Sequence, residues 1–197
     1  MTLLERRRLL LSQNKSLLPS EYQLLEYIQN DSPVYIDTGI TIDPNLTIEV
    51  KAQLVHVNTA SQSVWGGRAN TIQGLQLSYV KSVGLFQFMH GSAVTHATFP
   101  WDYDIHIFKG DKNYIYMDGV LKNTALDNLP PSFYTIYLFA TNTAGTPGFS
   151  GGSLKMYYCK IWNENKLLCD FIPCQNSDGT YGMYDLVRKI FCPMVDI

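Results

Sequence analysis

The chain has 197 residues, 46% of them hydrophobic and only 16% charged, with a formal net charge of -2. That length can bury a full core and suits one main domain with an appendage. The near-neutral charge excludes the basic footprint of a nucleic-acid binder, and no apolar run is long enough to cross a membrane as a helix.

Met1–Lys15 is predicted as a short helix. Thr2 and Glu5 form a capping box, and Leu3, Leu4, Leu10 and Leu11 share one face at helical spacing, with Arg6, Arg7 and Arg8 between them. So short a helix is marginal alone in water, so its leucine stripe is expected to dock on its own domain or on a neighbouring chain. The apolar stretch behind the arginines, Leu9–Leu11, falls short of the ~7 residues a signal-peptide core needs, so the chain is expected to be made in a reducing cytosol. Pro19 then marks a change of direction.

From about Val34 the period changes to two. In LTIEVKAQLVH, Leu46, Ile48, Val50, Ala52 and Leu54 fall on one face and Thr47, Glu49, Lys51 and Gln53 on the other, which predicts a half-buried strand. Further strands are expected to place Leu75, Leu77, Tyr79, Phe86, Phe88, Ile105 and Ile107 inward. NYIYMDGVLKN reads as a hairpin turning on Asp118-Gly119. Short strands with turn signals every ~8 to 12 residues predict an all-β fold, an antiparallel sandwich or barrel.

KMYYCKIWNENKLLCDFIPC continues this pattern. Leu154, Met156 and Tyr158 alternate with Lys155, Tyr157 and Cys159, NEN turns the chain, and Leu167, Cys169 and Phe171 resume the period. Cys159, Cys169, Cys174 and Cys192 include no C-x-x-C pair, so buried free thiols are expected rather than a structural metal site.

Motifs for catalysis are sparse. GFSGG, Gly148 to Gly152, matches G-x-S-x-G, but a nucleophile elbow needs a helix after the serine, and a strand pattern comes next here. His56, His90, His96 and His106 form no H-x-x-x-H pair and read as core or rim residues. Asp102 and Asp104 share a strand face, for which turn capping, calcium ligation or a catalytic pair are successively weaker readings.

Binding through the loops at the sandwich ends is the role the residues favour. Trp101 and Tyr103 offer ring faces for a sugar, and Asp102 and Asp104 accept hydroxyl hydrogen bonds. Trp65, Arg68, Asn70 and Asn142 are further glycan candidates, with core packing as the plain alternative for Trp65 and Trp101.

The pieces YIDTGITIDPNLTIEVKAQL, YIYMDGVLKNT and MYYCKIWNENKLLCDFIPCQNSDGTYGMYDLV together resemble the concanavalin A-like lectin/glucanase superfamily, or laminin-G-like domains. LPSEYQLLEYI and GTYGMYDLVRKIF look like a subgroup met in tailed bacteriophages and prophages of gut bacteria, and MTLLERRRLLL looks like the leader those proteins carry. The resemblance implies a jelly roll of two antiparallel sheets over residues 20–197, an attachment arm over 1–19, and a partly extended LPSEYQLLEYI. The family's glucanase branch uses E-x-D-x-x-E. Here Lys51 stands where the aspartate after Glu49 should be, and there is no second glutamate, so the resemblance implies no catalytic residues. No calcium motif of the lectin branch matches, so neither a metal nor another cofactor is expected.

These residues and the resemblance together lead to the expectation of a non-catalytic virion surface protein, attached to other virion proteins through Met1–Lys15, self-associating, and exposing loops to a host-surface glycan. A purely architectural capsid-decoration or tail subunit is the first rival, and a glycan-degrading enzyme of the same fold the second.

Overall fold

The computed structural model describes residues 18–70, 73–92, 97–125 and 129–197, and the helix predicted over Met1–Lys15 lies outside them. The described residues contain strands and turns and no helix. In chain order the strands are β1 (Gln23–Leu24), β2 (Ile28–Gln29), β3 (Val34–Thr41), β4 (Leu46–Arg68), β5 (Gln73–Val80), β6 (Leu85–Ser92), β7 (Ala97–Phe99), β8 (Ile105–Asp111) and β9 (Tyr114–Met117). They continue as β10 (Val120–Thr124), β11 (Thr135–Leu138), β12 (Thr141–Thr143), β13 (Thr146–Gly148), β14 (Ser150–Asn163), β15 (Lys166–Gln175), β16 (Tyr181–Asp185), β17 (Ile190–Pro193) and β18 (Val195–Asp196). As the resemblance implied, LPSEYQLLEYI is partly extended, through β1 and β2.

Two layers share one strand. The first half of β4 lies between β8 and β14, in the order β10-β9-β8-β4-β14-β15-β16-β17. After a register break between Val57 and Gln62, its second half lies between β5 and β11, in the order β7-β6-β5-β4-β11-β3-β18. All these pairings are antiparallel, and β12 runs parallel to the end of β4.

The layers meet through aromatic side chains. Phe108 of β8 packs on Phe86 of β6 with ring centroids 5.0 Å apart. Beside it, a Cβ on Gly110 would stand 3.0 Å from the Phe88 ring and 3.3 Å from Trp65, so the bare backbone lets the sheets close to contact. Leu46, Ile48, Val50, Ala52 and Leu54 are all buried, as their alternation predicts. All four cysteines are buried free thiols. Burial pushes the Cys169 and Cys174 thiols up to about 12, which makes them poor nucleophiles.

Two phase readings need correction. Ile105 and Ile107 point outward, 46% and 37% exposed, while Phe108 and Gly110 of the same strand face the core. In β14 a register shift between Met156 and Tyr158 breaks strict alternation. Met156 and Cys159 therefore both reach the core, and Tyr158 turns outward to Glu49. The Asp118-Gly119 turn forms as expected, with φ of 54° and 77° at its two residues.

Where β4 crosses between layers, fully buried Gln62 holds three backbone segments. Its Nε2 donates to the carbonyls of Ser63 (2.8 Å) and Phe139 (2.7 Å), and its Oε1 accepts the Gly152 N–H (2.9 Å). Gln62→Leu keeps the bulk and strands those groups, so it is expected to cost about 1–3 kcal/mol. Urea unfolding is expected to show a lowered midpoint at unchanged slope; an unchanged midpoint counts against the role given to Gln62.

Candidate functional site: a trough across the first sheet

Because β4, β8 and β14 alternate, the residues that do not face the core line the sheet's outer face in register rows. Lys109, Glu49 and Lys160 stand side by side on β8, β4 and β14, with Tyr116 of β9 beyond Lys109 and Asp170 of β15 beyond Lys160. The next row holds Asp111, Thr47 and Trp162. Of these, Glu49, Lys109, Asp111, Thr47 and Trp162, together with Asn45, Glu164 and Asn165 from the strand ends, border a cleft of about 640 Å³. A second depression of about 330 Å³, bounded by Ile107, Tyr116 and Gly119, adjoins it and shares Glu49, Lys109 and Asp111. The two form one trough running across the strands.

Opposite charges set side by side steady the trough walls. Thr47 Oγ1 donates to Asp111 Oδ1 at 3.0 Å, Lys109 Nζ lies 3.7 Å from Asp111 Oδ2, and Lys160 Nζ lies 3.3 Å from Asp170 Oδ2. The Tyr158 hydroxyl donates to Glu49 Oε1 at 2.9 Å, and its burial, together with that bond, pushes its pKa well above the usual phenol range. The Lys51 ammonium sits over the Tyr157 ring, 5.3 Å from its centroid. Half-buried Trp162 supplies an aromatic surface, and the carboxylates and amines around it supply acceptors and donors for hydroxyl groups.

The loop predicted to carry the site lies beyond one end of the β4 segment that floors the trough. Its Tyr103 carbonyl accepts a hydrogen bond from Gln53 Nε2 (2.8 Å) on the outer face of β4. Trp101 is wedged edge-on between Tyr79 and Tyr103, with centroids 4.7 and 4.5 Å away. Tyr103 is 55% exposed. Asp102 Oδ1 accepts the Asp104 N–H at 2.8 Å, the turn-capping arrangement. Among the described residues, no three His, Cys, Asp or Glu side chains converge as metal ligands.

The other four candidates lie on the second sheet. Trp65 is fully buried, so its ring is closed to a sugar. Asn142, also buried, donates to the Thr135 carbonyl (3.0 Å) and accepts the Gly145 N–H (2.8 Å), which makes it a turn brace. Arg68 donates to Gln76 Oε1 at 2.6 Å and lies over the Phe149 ring. Asn70 caps the Gln73 N–H at 2.9 Å. Ser150 of GFSGG opens β14 and leads into strand, so no elbow forms.

No family model matches the chain. No curated protein matches its sequence either. Among solved structures, the chain is similar to the CBM40 of a Ruminococcus gnavus IT-sialidase bound to α2,3-sialyllactose, at 16% identity over 72% of this chain and 91% of that one, TM-score 0.47. It is also similar to a β-1,3-glucanase from Mycobacterium marinum, at 11% identity over 73% and 75% of the two chains, TM-score 0.37. A third similar structure is a putative β-glucanase from Mycobacterium abscessus, at 13% identity over 64% and 66%, TM-score 0.36.

Sequence reasoning did not single out Trp162, Lys109 and Asp111. Each sits at an outward position of a strand with an identifiable period, but only the pairing register brings them beside Glu49.

Proposed function

We propose that this chain is a non-catalytic, glycan-binding sandwich of the jelly-roll lectin type, which holds an extended neutral saccharide in the trough across β14, β4, β8 and β9. The observation that carries this reading is the trough itself: the Trp162 ring beside rows of Lys and carboxylate side chains whose charges nearly cancel. An indole face suits the apolar face of a sugar ring, and a hydroxyl group can donate to Glu49 or Asp111 while accepting from Lys109. Three strand spacings span ~14 Å, longer than a single sugar ring.

The non-catalytic part is supported by the residues just beyond Glu49. Lys51 covers the Tyr157 ring, and Leu54, where the second motif acid would stand, is buried. Display on a bacteriophage virion, with attachment and self-association through Met1–Lys15, is supported by the sequence resemblance. An array of neutral glucans and mannans, sialylated glycans and acidic host polysaccharides tests the reading. Retention of neutral oligosaccharides is expected. Retention of none, with tight binding to virion particles, overturns it in favour of a purely architectural subunit. Release of reducing ends that Glu49→Gln abolishes overturns the non-catalytic part.

A further inference from the structure

A cluster of three titratable groups joins the 100–104 loop to the β9–β10 hairpin. The His106 ring stands between two carboxylates, with Nε2 2.7 Å from Asp102 Oδ1 and Nδ1 2.6 Å from Asp118 Oδ2. We propose that His106 is a proton-operated latch: its imidazolium ties the loop to the hairpin turn, and loss of the proton frees the loop together with the exposed Tyr103 ring.

Donor and acceptor must match at both contacts. Carboxylates only accept, so both contacts form only when both ring nitrogens carry hydrogen. A neutral ring has one N–H, so one lone pair then faces a carboxylate oxygen at hydrogen-bond distance and that contact parts.

The geometry also decides which side gives way. Asp118 is held in its tight turn: its Oδ1 accepts the Ile107 N–H at 2.9 Å, and its own N–H donates to the Ile107 carbonyl at 2.8 Å. Among the described residues, Asp102 is held otherwise only within its own loop, through the Asp104 N–H. Among the described residues, the loop is also tied by the Gln53 bond to the Tyr103 carbonyl and by the packing of Trp101 on Tyr79 and the core. Release therefore moves the loop about Trp101.

The ring's surroundings fit this role. Asp102 and Asp118 flank it, Lys122 of β10 lies beyond Asp118, Ala52 stands opposite on β4, and the Phe108 ring packs 5.9 Å away on its own strand. Partial burial works against the charge on His106, but the hydrogen bonds and charges of the two carboxylates outweigh it and hold the imidazolium above the usual histidine range. The hydrogen bond from His106 holds Asp102 below the usual carboxylate range. A raised pKa gives a contribution fully present below the ordinary histidine value and lost as pH rises through the raised one. The latch is closed in acid and opens toward alkali.

NMR titration of the whole chain tests this without any glycan, so failure of the glycan reading leaves it intact. The Trp101 indole resonance is expected to shift between about pH 5 and about pH 9 with the midpoint of the His106 ring signals, above that of an ordinary histidine. Asp102→Asn is expected to lower that midpoint, and His106→Gln to abolish the Trp101 transition. The latch is overturned if Trp101 stays flat while His106 titrates, if the two midpoints differ, or if His106→Gln keeps the transition.

Discussion

Arg188→Ala is expected to destabilise the fold by about 3–5 kcal/mol, the usual result of leaving a buried charge without its partner. Asp185 is fully buried at the end of β16. Its Oδ1 accepts the N–H groups of Asp170 (3.0 Å) and Val187 (2.9 Å), and its Oδ2 accepts from Arg188 Nε. Arg188 also donates through Nη2 to the Thr38 carbonyl at 2.7 Å and lies over the Phe171 ring, so this one side chain ties the β16–β17 hairpin to β3. For a domain of this size the loss amounts to roughly 10 °C in Tm. Arg188→Met tests whether charge or bulk matters, and a loss close to that of Arg188→Ala assigns the effect to charge. The half-buried bridge between Lys160 and Asp170, at the solvent side of the sheet, is the contrast: Lys160→Ala is expected to cost less than about 1 kcal/mol.

The same pair sets the acid limit. Burial alone would raise the Asp185 pKa, but the Arg188 bond and the two N–H groups outweigh it, and the carboxyl titrates below its usual range. A depressed pKa contributes stability that is present above the unfolded value, near 3.9, and lost as pH falls through the folded one. In Arg188→Ala the opposing burial is no longer overcome so fully, so the acid limb of Tm against pH is expected to move upward. If Tm and the acid limb are both unchanged, the Asp185 carboxylate does not depend on this guanidinium.

Trp162→Ala is expected to weaken retention of a neutral oligosaccharide roughly thirtyfold, on the scale of about 2 kcal/mol for losing a central aromatic contact. Its ring lies beside Thr47 and Glu49 on the trough floor, and its neighbour Ile161 points into the core. The substitution therefore removes stacking surface while leaving the core side of β14 intact. Affinity electrophoresis in gels containing the polysaccharide that the array selects, paired with a thermal melt, separates binding from stability. Unchanged mobility shift with unchanged Tm moves the binding site off this face. Trp101→Ala serves as the comparison, because that ring packs on Tyr79 and is expected to report on stability before binding.

The strand pattern was legible in the chain because alternation is a local property. Leu46 to Leu54 and the Asp118-Gly119 turn could be read directly. Where local rules gave the wrong face, a longer-range feature decided. The irregularity after Met156 is set by pairing with Ala52 and Lys51 of β4, and no neighbour in sequence announces it. Ile105 and Ile107 look like core residues, yet Phe108 and Gly110 fit the facing layer, so the isoleucines take the outside. The site shows the same division. Trp101 to Asp104 are adjacent in sequence and stay together in space, whereas Glu49, Lys109 and Trp162 meet only once three distant strands are in register. Nothing in YDLVRK announces that Asp185 is buried, because its partner Asp170 and the Thr38 carbonyl that accepts from Arg188 both arrive from other strands.

β4 runs through the middle of both sheets, and this bears on how the protein comes apart. A fragment lacking that one segment would lose the interior neighbour of β8 and β14 in one layer and of β5 and β11 in the other. Neither half of the sandwich can then persist without its mate, and amide exchange is expected to be slowest along this common backbone, with fraying confined to the outermost β10, β17, β7 and β18.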